Sequence, residues 1–475
     1  MAQIIAPSLR EHRQRATSVL VIALTIALAI LTITGVGTVA FVSLIGMAIC
    51  AICFFRKEAY IDWWIFIPLA AYVLMNFISA WCAWGDPLYG YGPLHIIYLS
   101  LYAAACSLRD AEAKLLRLLC VGLAVVAAVA AIIGFIVQSF TASATRLEYV
   151  VGTPNGLGIF FVLAWFALES SRMEVVRQKG TNEPSTLGRS RLYHFLSRCE
   201  PLILVALAMT LSMGSLVALG IGLIVLFISR FRATGGKEAF RFATVILSRI
   251  FLSIAIGFLM YMAGERADAP ILCLVILAYI TVMICLWNRF DSFLKSSGKF
   301  AKIISLVGLL CIPFALFMRP NAGATFAERF EMMGNGISYL GVDPLVGMGP
   351  FTWRLANIQD AGNYFNTNHI HNIFIHAGVE FGLIAMAALI IIAVRVFVKR
   401  YREAQHGEDA ALLFHMLTDT GFFYVGIVGM FIFTANGSIT PEKKALIGGD
   451  KTAVRMPFLA SFHHFVGLYR LILIA

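Results

Sequence analysis

The chain has 475 residues, of which 60% are hydrophobic and only 13% are charged, and its mean hydropathy is +0.84. A soluble domain of this length would carry far more charge, and apolar stretches of about 18 or more residues recur throughout. The roughly 10-residue alternating segments of a membrane β-barrel are absent. The composition therefore predicts an all-α, polytopic membrane protein.

The apolar segments predict about 12–14 transmembrane helices and one large polar loop. We expect three parts: an N-terminal helix bundle (1–318), a loop that carries short surface helices (319–370), and C-terminal transmembrane helices (371–475). The apolar segments lie near residues 18–35, 38–55, 62–82, 90–106, 114–137, 154–171, 201–213, 215–229, 250–263, 270–287, 303–318, 371–394, 411–433 and 456–475.

The basic residues predict how the chain is oriented. If the N-terminus lies in the cytoplasm and the sides alternate, most of the 37 lysines and arginines fall on the cytoplasmic side, as the positive-inside rule requires. The net charge of +11 then reflects membrane topology and does not imply a nucleic-acid partner. The loop 319–370 is predicted to face the periplasm or the cell exterior.

The apolar run 201–229 is flanked by basic residues on both sides, which predicts a hairpin that turns at residues 212–215. Each half would then have about 14 residues, which is short for a bilayer of about 30 Å. Short helices at membrane depth are tolerated where they line a cavity. A single long, tilted helix remains the alternative.

The outer loop contains a predicted surface helix. Thr325 and Glu328 have the spacing of a capping box. An apolar stripe follows, and Arg329 lies at its edge, so we expect this arginine at the depth of lipid phosphates. An ordinary solvent-facing arginine is the alternative. The stripe consists of Phe326, Phe330, Met333, Ile337 and Leu340.

The segment Asp343–Phe351 contains two glycines, Gly347 and Gly349, but no nucleotide-binding context surrounds them, so we predict a packing turn. His369, His371 and Asn372 stand at the start of the next apolar helix. A histidine titrates near neutrality and is suited to accept a proton from a sugar hydroxyl. Deeper in that helix, spacing predicts a structural pair between His376 and Glu380.

Further cations are predicted on the same outer side, namely Arg146, Arg319 and Arg354. Asn155 follows Pro154 at the predicted start of another helix. Paired carboxylates that would hold a metal ion are absent from the outer segments. A diphosphate would therefore be neutralised by arginines, whose donors suit phosphate geometry. No metal and no cofactor is expected.

Together these residues resemble the O-antigen ligase and O-antigen polymerase superfamily. The resemblance rests on an arginine (Arg329), the turn P-L-V-G-M-G-P-F at 344–351, His371-Asn372, and Glu380-Phe381-Gly382. An upstream arginine followed by Pro154-Asn155 and the 201–229 hairpin are similar to family elements as well. The similarity covers about residues 145–385.

The resemblance implies metal-independent, inverting glycosyl transfer from a polyprenyl diphosphate carrier, such as undecaprenyl diphosphate, to an acceptor sugar at the outer face of the cytoplasmic membrane. His371 and Arg329 would be catalytic. The diphosphate and glycan would be bound by Arg146, Arg319, Arg354, His369, Asn372 and Asn155. Such a protein would serve lipopolysaccharide or other cell-envelope polysaccharide biosynthesis.

One position departs from the family. Where the family has Ser-Arg-Gly at the hairpin turn, this chain has Ser212-Met213-Gly214. Either another cation takes the place of the family arginine, or the substrate is handled differently. The candidates for that cation are Arg146, Arg319 and Arg354.

Two other functions stay open. A polymerase of the same superfamily would use a second lipid-linked repeat as its acceptor, and the sequence does not distinguish it from a ligase. A transporter of lipid-linked glycans would concentrate its charges near the middle of the membrane. In this sequence we expect only Glu380 and Arg470 to lie far from the ends of their apolar segments, which favours the transferase.

Overall fold

A computed structural model describes the larger part of the chain. The described residues are 20–33, 42, 44–49, 58–140, 146–147, 152–178, 186–264, 269–317, 322–359, 365, 367–403, 407–435 and 453–457. The predicted ligand Arg319 and most of the last apolar segment, 456–475, lie outside them.

The described elements are almost all helices, and the two strands are short. In chain order they are α1 (Leu20–Ile33), α2 (44–49), β1 (Glu58–Asp62), α3 (Trp63–Trp84), α4 (Gly92–Ser107), α5 (Asp110–Ser139), α6 (Pro154–Gln178), α7 (Thr186–Met209), α8 (Met213–Thr234), α9 (Gly236–Gly264), α10 (Ala269–Ser296), α11 (Gly298–Phe317), α12 (Ala322–Tyr339), α13 (Thr352–Gln359), α14 (Ile373–Glu403), α15 (Glu408–Thr418), α16 (Val425–Thr434) and β2 (Ala453–Pro457). Strands β1 and β2 pair antiparallel, with Asp62 opposite Ala453.

The prediction of an all-α, polytopic membrane protein is confirmed. Seven helices in the described part of the chain are long and apolar enough to cross a membrane. They lie within α3, α5, α7, α8, α9, α10 and α14, and two shorter apolar helices, α1 and α16, accompany them. The total of 12–14 spans stays a prediction. The loop 319–370 contains two helices, α12 and α13.

The chain divides into two compact units, each assembled from separate stretches of sequence. The first unit comprises residues 1–119, 333–396 and 422–475, and the second comprises residues 120–332 and 397–421. Helices α3, α4, α13 and α16 belong wholly to the first unit, and helices α6 to α11 and α15 belong wholly to the second.

The break predicted within 201–229 is confirmed, so the alternative of one long helix is wrong, whereas the return of the chain as a hairpin stays a prediction. Helix α7 ends at Met209 and helix α8 begins at Met213. Leu211 has a positive φ of 48°, and the side chain of Ser212 caps α8 by accepting from the amide of Ser215. The expected short halves are wrong, because α7 begins at Thr186 and α8 continues to Thr234, beyond the apolar run.

Five charged side chains are buried together in the second unit, and we call them the ionic cluster: Glu169, Arg172, Glu200, Arg249 and Asp291. Arg172 lies 3.1 Å from Glu169 and 3.0 Å from Glu200. Arg249 lies 3.0 Å from Asp291 and 3.6 Å from Glu200. Because these residues come from α6, α7, α9 and α10, the cluster holds four helices together.

The two arginines of the ionic cluster, Arg172 and Arg249, are not solvated loop charges of the kind that the positive-inside rule counts. Both arginines are only 2% exposed. The indole nitrogens of Trp165 and Trp287 donate to Glu200 at 3.2 Å and 3.4 Å. A buried carboxylate that accepts from two indoles and lies beside two guanidinium groups is a fixed part of the protein interior.

Glu200→Gln is expected to lower the free energy of unfolding by about 3–5 kcal/mol, because it leaves two buried guanidinium groups with less negative charge around them. Unfolding in detergent, followed by circular dichroism, measures the change. The control is Glu238→Gln at an exposed position of α9, which should change stability by no more than about 0.5 kcal/mol. Equal stability of the two variants would contradict a structural role for the cluster.

Candidate functional site

The predicted site residues belong to both units, and each unit is described by itself. In the second unit, Arg146 is half-buried and lies against the hairpin turn, residues 210–215. Its Nε donates to the carbonyl of Thr210 at 3.0 Å, and its Nη2 donates to the carbonyl of Leu211 at 3.3 Å. These contacts fix the guanidinium at the turn.

Asn155 connects the same arginine to helix α6. The helix begins at Pro154, as predicted. The Asn155 side-chain oxygen accepts from Arg146 at 3.4 Å, and the Asn155 carbonyl accepts from the hydroxyl of Ser215 at 3.3 Å. Arg146, Asn155 and the hairpin turn thus form one hydrogen-bonded group.

Arg329 also belongs to the second unit and approaches the hairpin turn. It lies on α12, where it is 7% exposed. Its Nη1 donates to the carbonyl of Thr418 at 2.7 Å, and its Nη2 lies 3.1 Å from Oδ2 of Asp419. A Cβ atom placed on Gly214 would lie 3.7 Å from Nη1 of Arg329. The guanidinium therefore sits between the end of α15 and the hairpin turn.

The predicted helix around Arg329 is confirmed, although it begins at Ala322, three residues before Thr325. Two members of its apolar stripe, Phe330 and Ile337, are 64% and 55% exposed. The alternative of a solvent-facing arginine is wrong, because Arg329 is buried, and its expected position at the depth of lipid phosphates stays a prediction. Its side chain turns into the protein, where a carboxylate and a helix C-terminus both favour a cation.

Of the three arginines considered as replacements for the family arginine at Met213, Arg146 contacts the hairpin turn. Arg354 belongs to the first unit and is exposed, and Arg319 lies outside the described residues. Met213 itself is only 7% exposed. The second unit therefore presents two arginines, Arg146 and Arg329, at the turn between α7 and α8.

In the first unit, the predicted residues lie before and at the start of α14. His369 and His371 are half-buried. Nη1 of Arg354, on α13, donates to the side-chain oxygen of Asn368 at 2.6 Å. Asn372 caps α14, because its side-chain oxygen accepts from the amides of Phe374 and Ile375 at 3.0 Å and 3.1 Å. The predicted ligand Asn372 thus has a structural role at the helix start.

Helix α14 is broken at Gly382, whose φ of 87° and ψ of 166° are not helical. The predicted packing turn, Asp343–Phe351, lies against this break. The Met348 and Gly349 amides donate to the carbonyls of Val379 and Glu380 at 2.8 Å and 3.0 Å. A third bond runs from the Leu383 amide to the carbonyl of Pro344 at 2.8 Å. The turn satisfies backbone groups that the break would otherwise leave without partners.

The predicted pair of His376 and Glu380 is confirmed. Nε2 of His376 lies 3.3 Å from Oε2 of Glu380, and both side chains are fully buried. The His376 ring is in edge contact with that of Phe423, at 5.0 Å between ring centroids, and the Phe423 ring also stacks on His369 at 4.6 Å. The pair therefore lies directly behind the half-buried His369.

Sequence reasoning missed two residues that contact the predicted site residues. Asp419, the partner of Arg329, is a lone acid within the apolar segment 411–433. An acid in an apolar segment predicts a cation beside it, because a buried carboxylate needs a counter-charge. Tyr91 lies 3.2 Å from Nδ1 of His369 through its hydroxyl.

No family model and no curated protein matches this chain. Its interpretation therefore depends on the geometry of the two sets of residues. Within the described part of the chain, no group of three or more histidine, cysteine, aspartate or glutamate side chains has the arrangement to hold a metal ion. The expected independence from metals stays a prediction.

Gly382→Ala is expected to destabilise the protein by at least about 3 kcal/mol, the upper end of the strain for such a backbone conformation. The added Cβ would overlap the carbonyl group of Leu345 in the packing turn. Gly122→Ala on α5 is the control, because nothing lies within 4 Å of the added Cβ, and its effect should stay within about 1 kcal/mol. Unfolding in detergent measures both, and a tolerated Gly382→Ala would refute the fit between turn and break.

Proposed function

We propose that this membrane protein is a glycosyltransferase similar to the O-antigen ligases. It would transfer a glycan from a polyprenyl diphosphate carrier to an acceptor sugar at the outer face of the cytoplasmic membrane. The observation that carries the proposal is the placement of Arg146 and Arg329 against one hairpin turn. Two fixed guanidinium groups suit the stabilisation of a diphosphate leaving group.

The chemistry of the leaving group explains why fixed arginines matter. When the glycosidic bond to the carrier breaks, its electron pair remains on the diphosphate, whose negative charge increases. Donors that are already oriented stabilise this charge without reorganising during the reaction. Arg146 is oriented by two backbone carbonyls and an amide oxygen. Arg329 is oriented by Thr418 and Asp419.

Asp419 adds a condition to the role of Arg329. Its carboxylate already compensates the charge of this guanidinium at 3.1 Å. A diphosphate at Arg329 would therefore compete with Asp419, and its binding would be weaker than at an uncompensated arginine. Because Asp419 is present, the charge of Arg329 is not buried without a counter-charge before the substrate binds.

The acceptor hydroxyl must lose a proton as its oxygen attacks the anomeric carbon. His371 is the proposed proton acceptor, and His369 stands two residues before it. Both imidazoles are half-buried in the first unit, so they combine access with a partly apolar environment. Direct attack by the hydroxyl inverts the anomeric centre. Arg354, which holds Asn368, would bind the glycan near this segment.

A transporter of lipid-linked glycans is the second candidate, and the observation that raises it is the ionic cluster. The sequence predicted few deep charges, whereas the structure buries five in the second unit. Buried charges within membrane proteins often mark transport pathways. In this cluster, however, the charges pair with one another across four helices, and this favours a structural role.

One reaction separates these functions. Purified protein is incubated with a polyprenyl diphosphate oligosaccharide and candidate acceptors, and both the released diphosphate lipid and the glycan products are measured. A ligase extends the acceptor by one transfer, whereas a polymerase of the same superfamily yields a ladder. Movement of intact donor across vesicles, without release of diphosphate lipid, would support the transporter and refute the transferase.

Arg329→Gln is expected to reduce transfer about 100- to 1,000-fold, the usual effect of losing one preorganised donor. Because this variant leaves Asp419 buried without its cation, the double variant Arg329→Gln/Asp419→Asn is measured as well. It should restore stability but not transfer. Arg241→Gln, at an exposed arginine, is the control. Transfer by the double variant at the control's rate would refute the role of Arg329.

His371→Gln is expected to lower transfer by about 100- to 10,000-fold, the contribution of a general base. The protein should still insert and fold, because His371 precedes helix α14. His194→Gln removes an exposed imidazole of the second unit and serves as the control. Initial rates with saturating donor and acceptor measure the effect, and near-full activity of His371→Gln would exclude this histidine as the base.

A further inference from the structure

Behind His369, the first unit contains a continuous group of side chains that hold or exchange protons. We call it the proton cluster. Its members come from α3, from the start of α4 and from both sides of the start of α14. They are Tyr72, Tyr91, His95, His369, His376 and Glu380.

His369 forms the half-exposed end of the proton cluster. The hydroxyl of Tyr91 lies 3.2 Å from its Nδ1 and 3.3 Å from its Nε2. The rings of His369 and His376 meet edge to face, with centroids 5.2 Å apart. From His376, the next contact is the 3.3 Å approach to Glu380. A sequence of close contacts therefore leads from a half-buried imidazole to a fully buried carboxyl group.

The other side of the cluster is made of phenols and one more imidazole. Tyr91 stacks on His95 with 5.5 Å between ring centroids, and the hydroxyl of Tyr72 lies 2.9 Å from Nδ1 of His95. Glu380 acts electrostatically on both Tyr72 and Tyr91. The groups that face the His376–Glu380 pair are thus neutral or titratable, and the side-chain hydroxyl of Ser79 donates to the backbone carbonyl of Glu380, not to its carboxyl group.

The pair itself is under-satisfied. Among the described residues, neither oxygen of the Glu380 carboxyl and neither ring nitrogen of His376 makes a hydrogen bond of good geometry, although the two groups lie 3.3 Å apart. Both side chains are 0% exposed. Buried polar groups of this kind normally have partners. The pair is neutral as a whole when it holds one proton, and a second proton would make it cationic.

We propose that the His376–Glu380 pair is a proton-binding site that is loaded and unloaded through His369. We further propose that it takes up the proton released by the acceptor hydroxyl, a step that rests on the proposed function. The hydroxyl oxygen forms its bond to the anomeric carbon, and the bond from this carbon to the diphosphate breaks with its electron pair on the diphosphate. The hydroxyl proton passes to an imidazole of the segment His369–His371 and then to the pair.

The first test uses resting protein without substrate. Infrared difference spectra of the purified protein in lipid nanodiscs are recorded from about pH 4 to about pH 9, a range that includes the ordinary pKa values of carboxyl and imidazole groups. We expect the carbonyl stretch of a protonated, buried carboxyl group that disappears in Glu380→Gln. The band should persist in Glu238→Gln, which removes an exposed carboxylate of the second unit.

A second variant keeps the proposal testable if Glu380→Gln fails to fold. His376→Gln keeps Glu380 and should change the pH at which its band appears, because the carboxyl group then lacks its imidazole neighbour. His369→Gln should leave the band in place but slow its appearance after a pH jump. A titration without any band that depends on Glu380 would overturn the proton-binding site, as would a band that both histidine variants leave unchanged.

The coupling to transfer has its own readout. Glu380→Gln should lower the transfer rate about 100-fold, the low end of what a proton-transfer group contributes, and should flatten the pH profile of the rate. An unchanged pH profile alongside a lost infrared band would refute the coupling and leave the binding site intact. If wild-type protein shows the band but transfers no glycan, the proposed function fails and the proton site stands.

Discussion

A charge that is buried in an apolar protein has to find its counter-charge there, and this constraint shapes both units. In the second unit, Arg172 and Arg249 meet three carboxylates where four helices come together. Elsewhere in that unit, Arg329 meets Asp419. In the first unit, Arg395 at the cytoplasmic-side end predicted for α14 pairs with Asp62 at 2.9 Å. Helices that lipid alone would leave free to rotate are fixed by these pairs.

The same constraint limits what the arginines at the hairpin turn can do for a substrate. An arginine that is neutralised by a buried carboxylate is held in place at little cost in unfavourable charge, but it attracts a diphosphate less strongly. Carbonyl and amide oxygens orient Arg146, so both arginines present donors of fixed direction at the turn.

The helices were largely predictable from the sequence, and the contacts of the charged residues were not. The break between α7 and α8 followed from basic residues on both flanks, and the pair His376–Glu380 followed from a spacing of four residues within one helix. By contrast, Glu169 and Asp291 are far apart in sequence and become neighbours of the same arginines only after four helices pack. The stripe on α12 did not locate the buried face of that helix, because Phe330 and Ile337 are 64% and 55% exposed. A helical wheel also does not show that Arg329 is buried beside Asp419.

The residues that carry the family resemblance now separate into two kinds. The turn Asp343–Phe351 and Gly382 are explained by packing alone, because the turn supplies hydrogen bonds to a break that only glycine allows. Such residues would be required in any protein with this fold, whatever it does. Arg146, His369 and His371 are different, since each is only half-buried and can meet a substrate as well as support the fold. Function therefore has to be argued from these three, together with the buried Glu380 that the same turn holds in place.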